Sequence, residues 1–432
     1  MYIIIIEVMS VKEKLFNKDY TLLWLGLAVS QLGAGAASIG LMWWIQTTTG
    51  SAMLLGTMAM VRTIIGVALS PLGGVIADKV SKKAIIVFTD FVNGTIYSTL
   101  AYLVYTEQLT YPVLLVLVAG SAICSTFFNP AISATVPLLV SKPNLPRANS
   151  LQQITSNVVS IVGYTAGGIL VAFLGIPLLL AVNGVAFLLS ALSELFINIP
   201  KLVSEGKARS GQFLQDLKEG LDYARKKGVL MEIMRVAAVL NFVAAPMFIL
   251  LPKYVQEHLG ASPAVYGYLL AAFMGGTLCA SLLIAFTKVV ERNLWLVIHS
   301  ITPQAVAMII VVLLPAELNA IRIPLFLLMG FLNGIVNIYF AAIIQRTTAP
   351  EQMGRVWGLI NTMSGGLQPI SQGLTGFLGD RVSIPIIYIV SGCLEGVCGL
   401  RFSAIPNLHS YLASEDEQAA NTPSTALSSA DN

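Results

Sequence analysis

Residues 53–105 read MLLGTMAMVRTIIGVALSPLGGVIADKVSKKAIIVFTDFVNGTIYSTLAYLVY. Two apolar runs flank a short polar turn, Asp78-Lys79-Val80-Ser81-Lys82-Lys83. A helix rises about 1.5 Å per residue, so about 20 mostly apolar residues cross a hydrocarbon core of about 30 Å. Each run is long enough to span a bilayer, and the charged turn between them belongs in water. This stretch therefore reads as a membrane helix pair, with the turn on one side of the membrane.

The same ruler carries outward in both directions. Further runs lie near Tyr20–Thr48, Tyr111–Val140, Ala148–Leu174 and Pro177–Ile199, then Val229–Val255, Ala264–Phe286, Leu294–Leu314, Ile323–Ile344, Val356–Leu378 and Ile384–Phe402. With 53–77 and 84–105 they make twelve spans. Composition agrees: 56% of the 432 residues are hydrophobic and 11% charged, where a soluble domain carries roughly 25% charged residues. Lipid solvates the outer face of such a chain and removes the need for a polar surface.

Lys and Arg orient the spans, because cytoplasmic loops are enriched in them. Of the 25 such residues, Lys253, Arg322 and Arg381 fall in the outer loops and Arg62 inside a span; the rest lie on the side of the N-terminus. Both termini are expected in the cytoplasm. The longest internal polar stretch, Lys201–Lys227, carries Phe213, Leu214, Leu217, Leu221 and Ala224 at helical spacing. It is expected as an amphipathic helix on the inner surface, or as a plain linker between two bundles. The resulting division is a six-helix bundle over 1–200, a cytoplasmic loop with its helix over 201–228, a second six-helix bundle over 229–406, and a disordered tail over 407–432. No cleavable targeting segment is expected, and Met9 offers an alternative start to Met1.

Several classes are excluded. The net charge of +3 is small for this length and does not suggest nucleic acid. Cys124, Cys279, Cys393 and Cys398 all sit in apolar runs without disulfide or metal-ligand spacing. No phosphate-loop lysine, dinucleotide fingerprint or His-Glu-x-x-His is present, so neither an enzyme, an ATP-driven pump, a cofactor nor a metal is expected.

The two halves repeat features at matching places. Pro146-Arg147-Ala148-Asn149-Ser150-Leu151 precedes the fifth span and Pro350-Glu351-Gln352-Met353-Gly354-Arg355-Val356 the eleventh. Each half thus sets one Arg at the entry of its fifth helix. Secondary transporters are commonly built from such repeats, with the substrate at their interface.

The turn with its preceding residues, Gly74-Val75-Ile76-Ala77-Asp78-Lys79-Val80-Ser81-Lys82-Lys83, is similar to a loop pattern of one family, Gly-x-x-x-Asp-Arg/Lys-x-Gly-Arg-Arg/Lys, with Ser81 in place of Gly. Together with Asn17-Lys18-Asp19-Tyr20, Arg147-Ala148-Asn149-Ser150-Leu151 and Leu217-Lys218-Glu219-Gly220-Leu221-Asp222-Tyr223, it makes the chain resemble the major facilitator superfamily, in its macrolide-efflux-like branch of drug exporters, from Asn17 to about Pro406. Gly163-Tyr164-Thr165-Ala166-Gly167-Gly168 resembles an exporter motif ending Gly-Pro-x-x-Gly-Gly, with Tyr164 where the Pro would stand.

The resemblance implies an all-α membrane protein with twelve helices in two pseudo-symmetric six-helix bundles. It also implies a cytoplasmic latch of Gly74, Asp78, Lys79, Lys82 and Lys83, joined by Asp90, Arg147 and Arg355. Physically, a carboxylate at one helix end can bond the positive N-terminus of a facing helix. Asp90 is expected to support the latch, with proton carriage as its other reading. Arg62, alone in mid-span, is expected to bind substrate or to pair with a carboxylate, since a lipid-facing charge there costs about 2.5–3.5 kcal/mol. Glu194 is expected to snorkel to the interface, and Glu395 lies on a peripheral helix. Spans one, four, seven and ten line the cavity in this family, which offers Gln31, Phe128, Asn129, Asn241, Asn333 and Asn337.

The expected activity is secondary active export of a small amphiphilic compound, a macrolide or other drug-like molecule, by proton antiport and alternating access. The protein is expected to work as a monomer in the plasma membrane. None of the four cavity spans carries a mid-membrane carboxylate, so protons as coupling ion rest on the resemblance. A siderophore or lysolipid carrier of the same fold, or a non-transporting receptor or scaffold, is the alternative.

Overall fold

The Asn17 side chain accepts the amide hydrogen of Tyr20 at 2.9 Å and starts the first long helix. Ser51 and Ser81 cap the next two in the same way, each bonding an amide three residues on, which satisfies donors that a helix start leaves free. The computed structural model describes residues 15–200, 213–287, 295–349 and 352–403. In chain order the helices are α1 (Lys18–Thr49), α2 (Ala52–Lys79), α3 (Lys82–Tyr105) and α4 (Tyr111–Leu139). One helical run, Leu145–Glu194, follows and is broken at Gly175, whose φ of 78° only glycine adopts freely. Its arms are α5 before the break and α6 after it. Then come α7 (Phe213–Lys226), α8 (Val229–Ile249), α9 (Pro263–Phe286), α10 (Trp295–Leu313), α11 (Asn319–Thr347), α12 (Met353–Gly379) and α13 (Ile384–Ser403). Spans one to six are thus α1–α6, and spans seven to twelve are α8–α13.

By length and composition, nine runs among the described residues are apolar enough to cross a membrane, the bent α5–α6 run counting once. Two of the expected spans are not among them: α10, whose apolar part His299–Leu313 is shorter, and α12, which Asn361, Ser364, Gln368, Ser371 and Gln372 make polar. The helix α12 packs against α2, α7 and α8, where Ser371 and Gln372 are buried while Asn361 and Gln368 stay exposed. The expected tail over 407–432 and both possible starts, Met1 and Met9, lie outside the described residues, as does the first part of the central loop.

The helices pack in a repeated scheme. In the first half the α5–α6 run packs on α1 and α3, and α4 packs on α2 and α3. In the second half α12 and α13 pack on α8, α13 on α10, and α11 on α9 and α10. The pairs correspond if α1 is matched with α8, α2 with α9, and so on. Contacts between the halves obey the same exchange: α2 meets α12, and α5 meets α9.

Those crossings are backbone-close. A Cβ on Gly376 would stand 2.8 Å from the Ala52 carbonyl oxygen and 3.1 Å from Gly56 Cα. A Cβ on Gly168 would stand 2.6 Å from the Pro263 carbonyl oxygen. Small residues let helix backbones approach where lipid supplies no hydrophobic drive. All four helices make these approaches near the loops at 50–51, 174–176, 259–262 and 380–383. That end is the opposite face of the molecule, and the end with the lysine-rich turn is its basic face.

The helix α7 packs part of its apolar edge on protein; the side chains of Phe213, Leu214 and Leu217 lie outside those described. Leu221, Tyr223 and Ala224 pack with Met231, Met234, Ile344, Val356 and Leu359, and Arg355 Nη2 meets Glu219 at 2.9 Å. This part of the edge finds a protein surface at the basic end of α12 and buries there.

Candidate functional site

Two cavities open among the helices expected to line a transport path. In the second half, Asn241 of α8 and Asn333 and Asn337 of α11 come together around a cavity of about 330 Å3. Phe248, Phe340 and Trp357 supply its apolar wall. Asn337 donates to the Asn333 side chain at 2.8 Å, and Asn241 to the Ala237 carbonyl at 2.9 Å, so each amide is held by its own helix. In the first half, Gln31 of α1 and Phe128 and Asn129 of α4 line a cavity of about 130 Å3 with Trp24 and Gln152. Trp24 is oriented by a 2.9 Å bond from its indole nitrogen to Thr155. Scattered amides in apolar, aromatic walls suit an amphiphilic ligand.

Arg62 lines neither cavity. It is exposed on α2 and acts electrostatically on Tyr164 of α5. Among the described residues it makes no ion pair within 4 Å. Glu395 of α13 was assigned to a peripheral helix by the sequence, yet it lines the larger cavity beside Gln304 and is 8% exposed.

The opposite face is tied shut by polar contacts between the halves. Asp380, at the end of α12, accepts from Ser51 Oγ at 2.7 Å and from the amides of Ala52 and Met53 at 2.6 and 3.0 Å. A carboxylate of one half thus caps the helix start of the other, where the dipole favours negative charge. Lys253 stands 3.6 Å from Asp380 and 3.3 Å from Glu257, and donates to the Gly50 carbonyl. Gln46 donates to Glu257 at 2.9 Å. The sequence reading placed such a carboxylate-to-helix bond on the basic face and missed Asp380. Its signal was available: Gly376-x-x-x-Asp380-Arg381-x-Ser383 repeats the spacing of Gly74-x-x-x-Asp78-Lys79-x-Ser81.

Partial burial alone would raise the Asp380 carboxyl, but Ser51, the Met53 and Ala52 amides and Lys253 hold it below the usual carboxylate value. Closure therefore favours the charged form. Its contribution is complete above the free value of about 3.9 and is lost as pH falls through the depressed one. Asp380→Ala removes the cap at any pH, a loss of about 0.5–2 kcal/mol on the scale of helix caps. Leu55, wholly buried beneath this face, reports it. In a background without the native cysteines, Leu55→Cys is expected to react faster with an impermeant thiol reagent when Asp380→Ala is added. An unchanged rate would show that the glycine crossings alone close the face.

Of the expected basic-face group, the side chains of Gly74, Asp78 and Lys79 lie outside those described. Lys82 is half-buried and Lys83 donates to the Leu195 carbonyl at 2.7 Å. Arg147 is exposed, while Arg355 is engaged by α7 and by Gln352. Asp90 makes no ion pair with Lys82 or Lys83; it lies within the first half at 1% exposure, and Glu194, expected to snorkel, is equally buried. The end of α6 is pressed between α1 and α3, leaving Glu194 no route to the interface.

Arg322, placed by the sequence in an outer loop, is instead 0% exposed in the first turn of α11. Its guanidinium donates to the carbonyls of Val311, Leu314 and Pro315, to Asn319 Oδ1 and to Tyr254 Oη. It caps the carbonyl end of α10, where a cation is favoured.

Comparison with known proteins agrees with this geometry. The family model of the Major Facilitator Superfamily matches residues 23–371. The chain is 23% identical over 385 residues to "Macrolide efflux protein A" of Streptococcus pyogenes, covering 88% of this chain and 95% of that protein. It is 24% identical over 377 residues to "Multidrug efflux pump Tap" of Mycolicibacterium fortuitum, covering 83% and 88%. Among solved structures, a bacterial homologue of the iron transporter ferroportin in an inward-facing state superposes with a TM-score of 0.70 at 14% identity, covering 89% of this chain and 98% of that one. The nucleoside transporter NupG superposes with a TM-score of 0.66 at 13% identity, covering 89% and 98%.

Proposed function

Since this chain belongs to the major facilitator superfamily and is thereby a multi-pass membrane transporter of small molecules rather than an enzyme, we propose that it exports an amphiphilic, drug-like compound such as a macrolide by proton antiport and alternating access. The observation that carries the reading is the pairing of a sealed opposite face with cavities of amides and aromatics in both halves. Such a state accepts substrate from the basic face. The lysine and arginine bias puts that face, and both termini, in the cytoplasm, so loading from inside and release outside is export. The relatives named for macrolide and multidrug efflux support the same direction. With no nucleotide motif on the chain, the proton gradient across the plasma membrane is the energy source, and one chain is the working unit. The remaining latch assignment, Gly74 to Lys83 with Arg147, belongs to the state in which the basic face closes.

Expression in a drug-sensitive bacterium tests this. Cells carrying the protein are expected to accumulate less radiolabelled erythromycin than cells without it, with the difference abolished by a protonophore. Equal accumulation across a panel of macrolides, dyes, siderophores and lysolipids would end the export reading, and uptake of one of the last two would favour a carrier of that class.

Arg62 enters the same reading as a contact of the substrate path, because it stands at mid-span opposite Tyr164 with no carboxylate partner among the described residues. Arg62→Gln is expected to cut transport several-fold with abundance near wild type. Lower abundance with normal transport per molecule would make it a folding residue instead.

A further inference from the structure

The first half encloses two carboxyl groups that the substrate path does not use. Asp90 lies on α3 and Glu194 at the end of α6, each 1% exposed. Ser190, one turn before Glu194, donates to Glu194 Oε1 at 3.4 Å and also stands in hydrogen-bonding reach of Asp90. Asp90 Oδ2 and Glu194 Oε2 are buried without any partner. The helix α1 closes the site: a Cβ on Gly26 would stand 2.9 Å from Ser190 Oγ and 3.7 Å from Glu194 Oε1.

Among the described residues, the neighbouring elements bring no ion-pair partner to the two carboxyls. From α4 the Cys124 thiol lies near Asp90, and Ser121 is bonded to Asn93 at 2.7 Å. From α1, Tyr20 donates to the Ala148 carbonyl, and Asp19 accepts from the Asn198 amide at 3.0 Å. On α3 itself, Lys83 is turned to the Leu195 carbonyl and Lys82 is half-buried. Among the described residues neither carboxyl is in an ion pair. One hydroxyl cannot satisfy two carboxylates, and two like charges in a dry site repel. A proton removes one charge and supplies the missing donor.

We propose that Asp90 and Glu194, bridged by Ser190, form a buried proton-binding site between α1, α3 and α6. The site holds one exchangeable proton, shared by the pair as coupled carboxyls share it. The proton arrives from water and leaves to water, and no other bond changes. Charging the pair requires water or a donor to enter where Gly26 now leaves no space, so release of the proton is tied to displacement of α1. The same helix carries Trp24 and Gln31 into the first-half cavity. Proton occupancy at one side of α1 and ligand occupancy at the other are thereby linked. This assignment rests on the antiport reading given above.

Two measurements on the purified full-length protein test it. In infrared difference spectra, the wild type is expected to show a protonated-carboxyl band that disappears as pH rises. The band should be lost or displaced in Asp90→Asn and in Glu194→Gln, each checked for a monodisperse gel-filtration profile; if one variant does not fold, the other decides. In proteoliposomes with an imposed pH gradient, erythromycin transport by either variant is expected to fall to the level seen without a gradient. A titrating band unchanged in both variants overturns the assignment, as does wild-type gradient-driven transport in both. A wild type that moves erythromycin with no response to the gradient overturns the antiport reading, and the infrared measurement then judges the carboxyl pair by itself.

Discussion

Gly376→Val is expected to lower transport by at least about tenfold while leaving the amount of folded protein near wild type. The Gly376 hydrogen faces the Ala52 carbonyl and Met53 Cα across the crossing of α12 with α2. A valine there cannot fit, because even a Cβ would stand within 3.1 Å of three backbone atoms that belong to the other half. The two halves must separate by the depth of a side chain, which also pulls Asp380 away from the α2 amides. Overpacking of this kind costs about 1–3 kcal/mol, and about 1.4 kcal/mol shifts a two-state equilibrium tenfold. The cost falls on one state of the cycle and not on the bundles themselves, since each half keeps its own packing. Thiol labelling at Leu55→Cys measured together with transport separates the cases. Fast labelling with lost transport is the expected pair. Slow labelling with normal transport would mean that the close approach of α2 and α12 is dispensable.

Arg322→Ala is expected to destabilise the fold more than Asp380→Ala, Arg62→Gln or Gly376→Val. The arginine satisfies the carbonyls of Val311, Leu314 and Pro315 at the end of α10, together with Asn319 and Tyr254. Its loss leaves the Leu314 carbonyl and Asn319 Oδ1 without the arginine's bonds, while the Val311 carbonyl keeps Tyr254 Oη and the Pro315 carbonyl keeps the Leu318 amide, at about 1–3 kcal/mol for each buried group left unmade. Arg322→Lys should recover only part of the loss, because an ammonium cannot reproduce the planar fork that meets carbonyls on separate residues. The readouts are the melting temperature in detergent and the yield of monodisperse protein. A variant that melts with the wild type would show that these carbonyls find other donors. Transport per folded molecule should change little, which distinguishes Arg322 from Arg62.

Those two arginines show where the sequence is legible and where it is not. Arg62 stands in the middle of an apolar run and draws the eye, while Arg322 stands at the start of one and reads as an outer-loop charge. In the structure Arg62 is exposed and Arg322 is wholly buried. A helix in lipid is apolar all round, so periodicity does not separate the face that meets protein from the face that meets acyl chains. The carboxylates behave alike. Asp90 sits near Lys82 and Lys83 along the chain, yet it is buried beside Ser190 and makes no ion pair with either lysine. Glu395 belongs to a helix assigned to the periphery and reaches the second-half cavity.

The amide assignments fare differently. Gln31, Phe128 and Asn129 come together, as do Asn241, Asn333 and Asn337. Polar side chains in mid-span have few tolerable surroundings, and a cavity is one of them. Their two groups could be read from position and resemblance. The companions Trp24, Gln152, Gln304 and Trp357 could not, because each depends on how a neighbouring helix is rotated.

The amino-acid sequence alone determined the class, the helix-loop-helix order and the family. These follow from length, apolarity and local chemistry: lipid admits backbone only where its hydrogen bonds are made internally, so every long apolar run must be a helix. Tertiary structure alone decided which carboxylate caps which helix, which charges are buried and where the halves touch. A bond such as that of Asp380 to the amides of Ala52 and Met53 joins residues more than three hundred positions apart. Its strength depends on an alignment of helix ends that packing sets and composition does not encode.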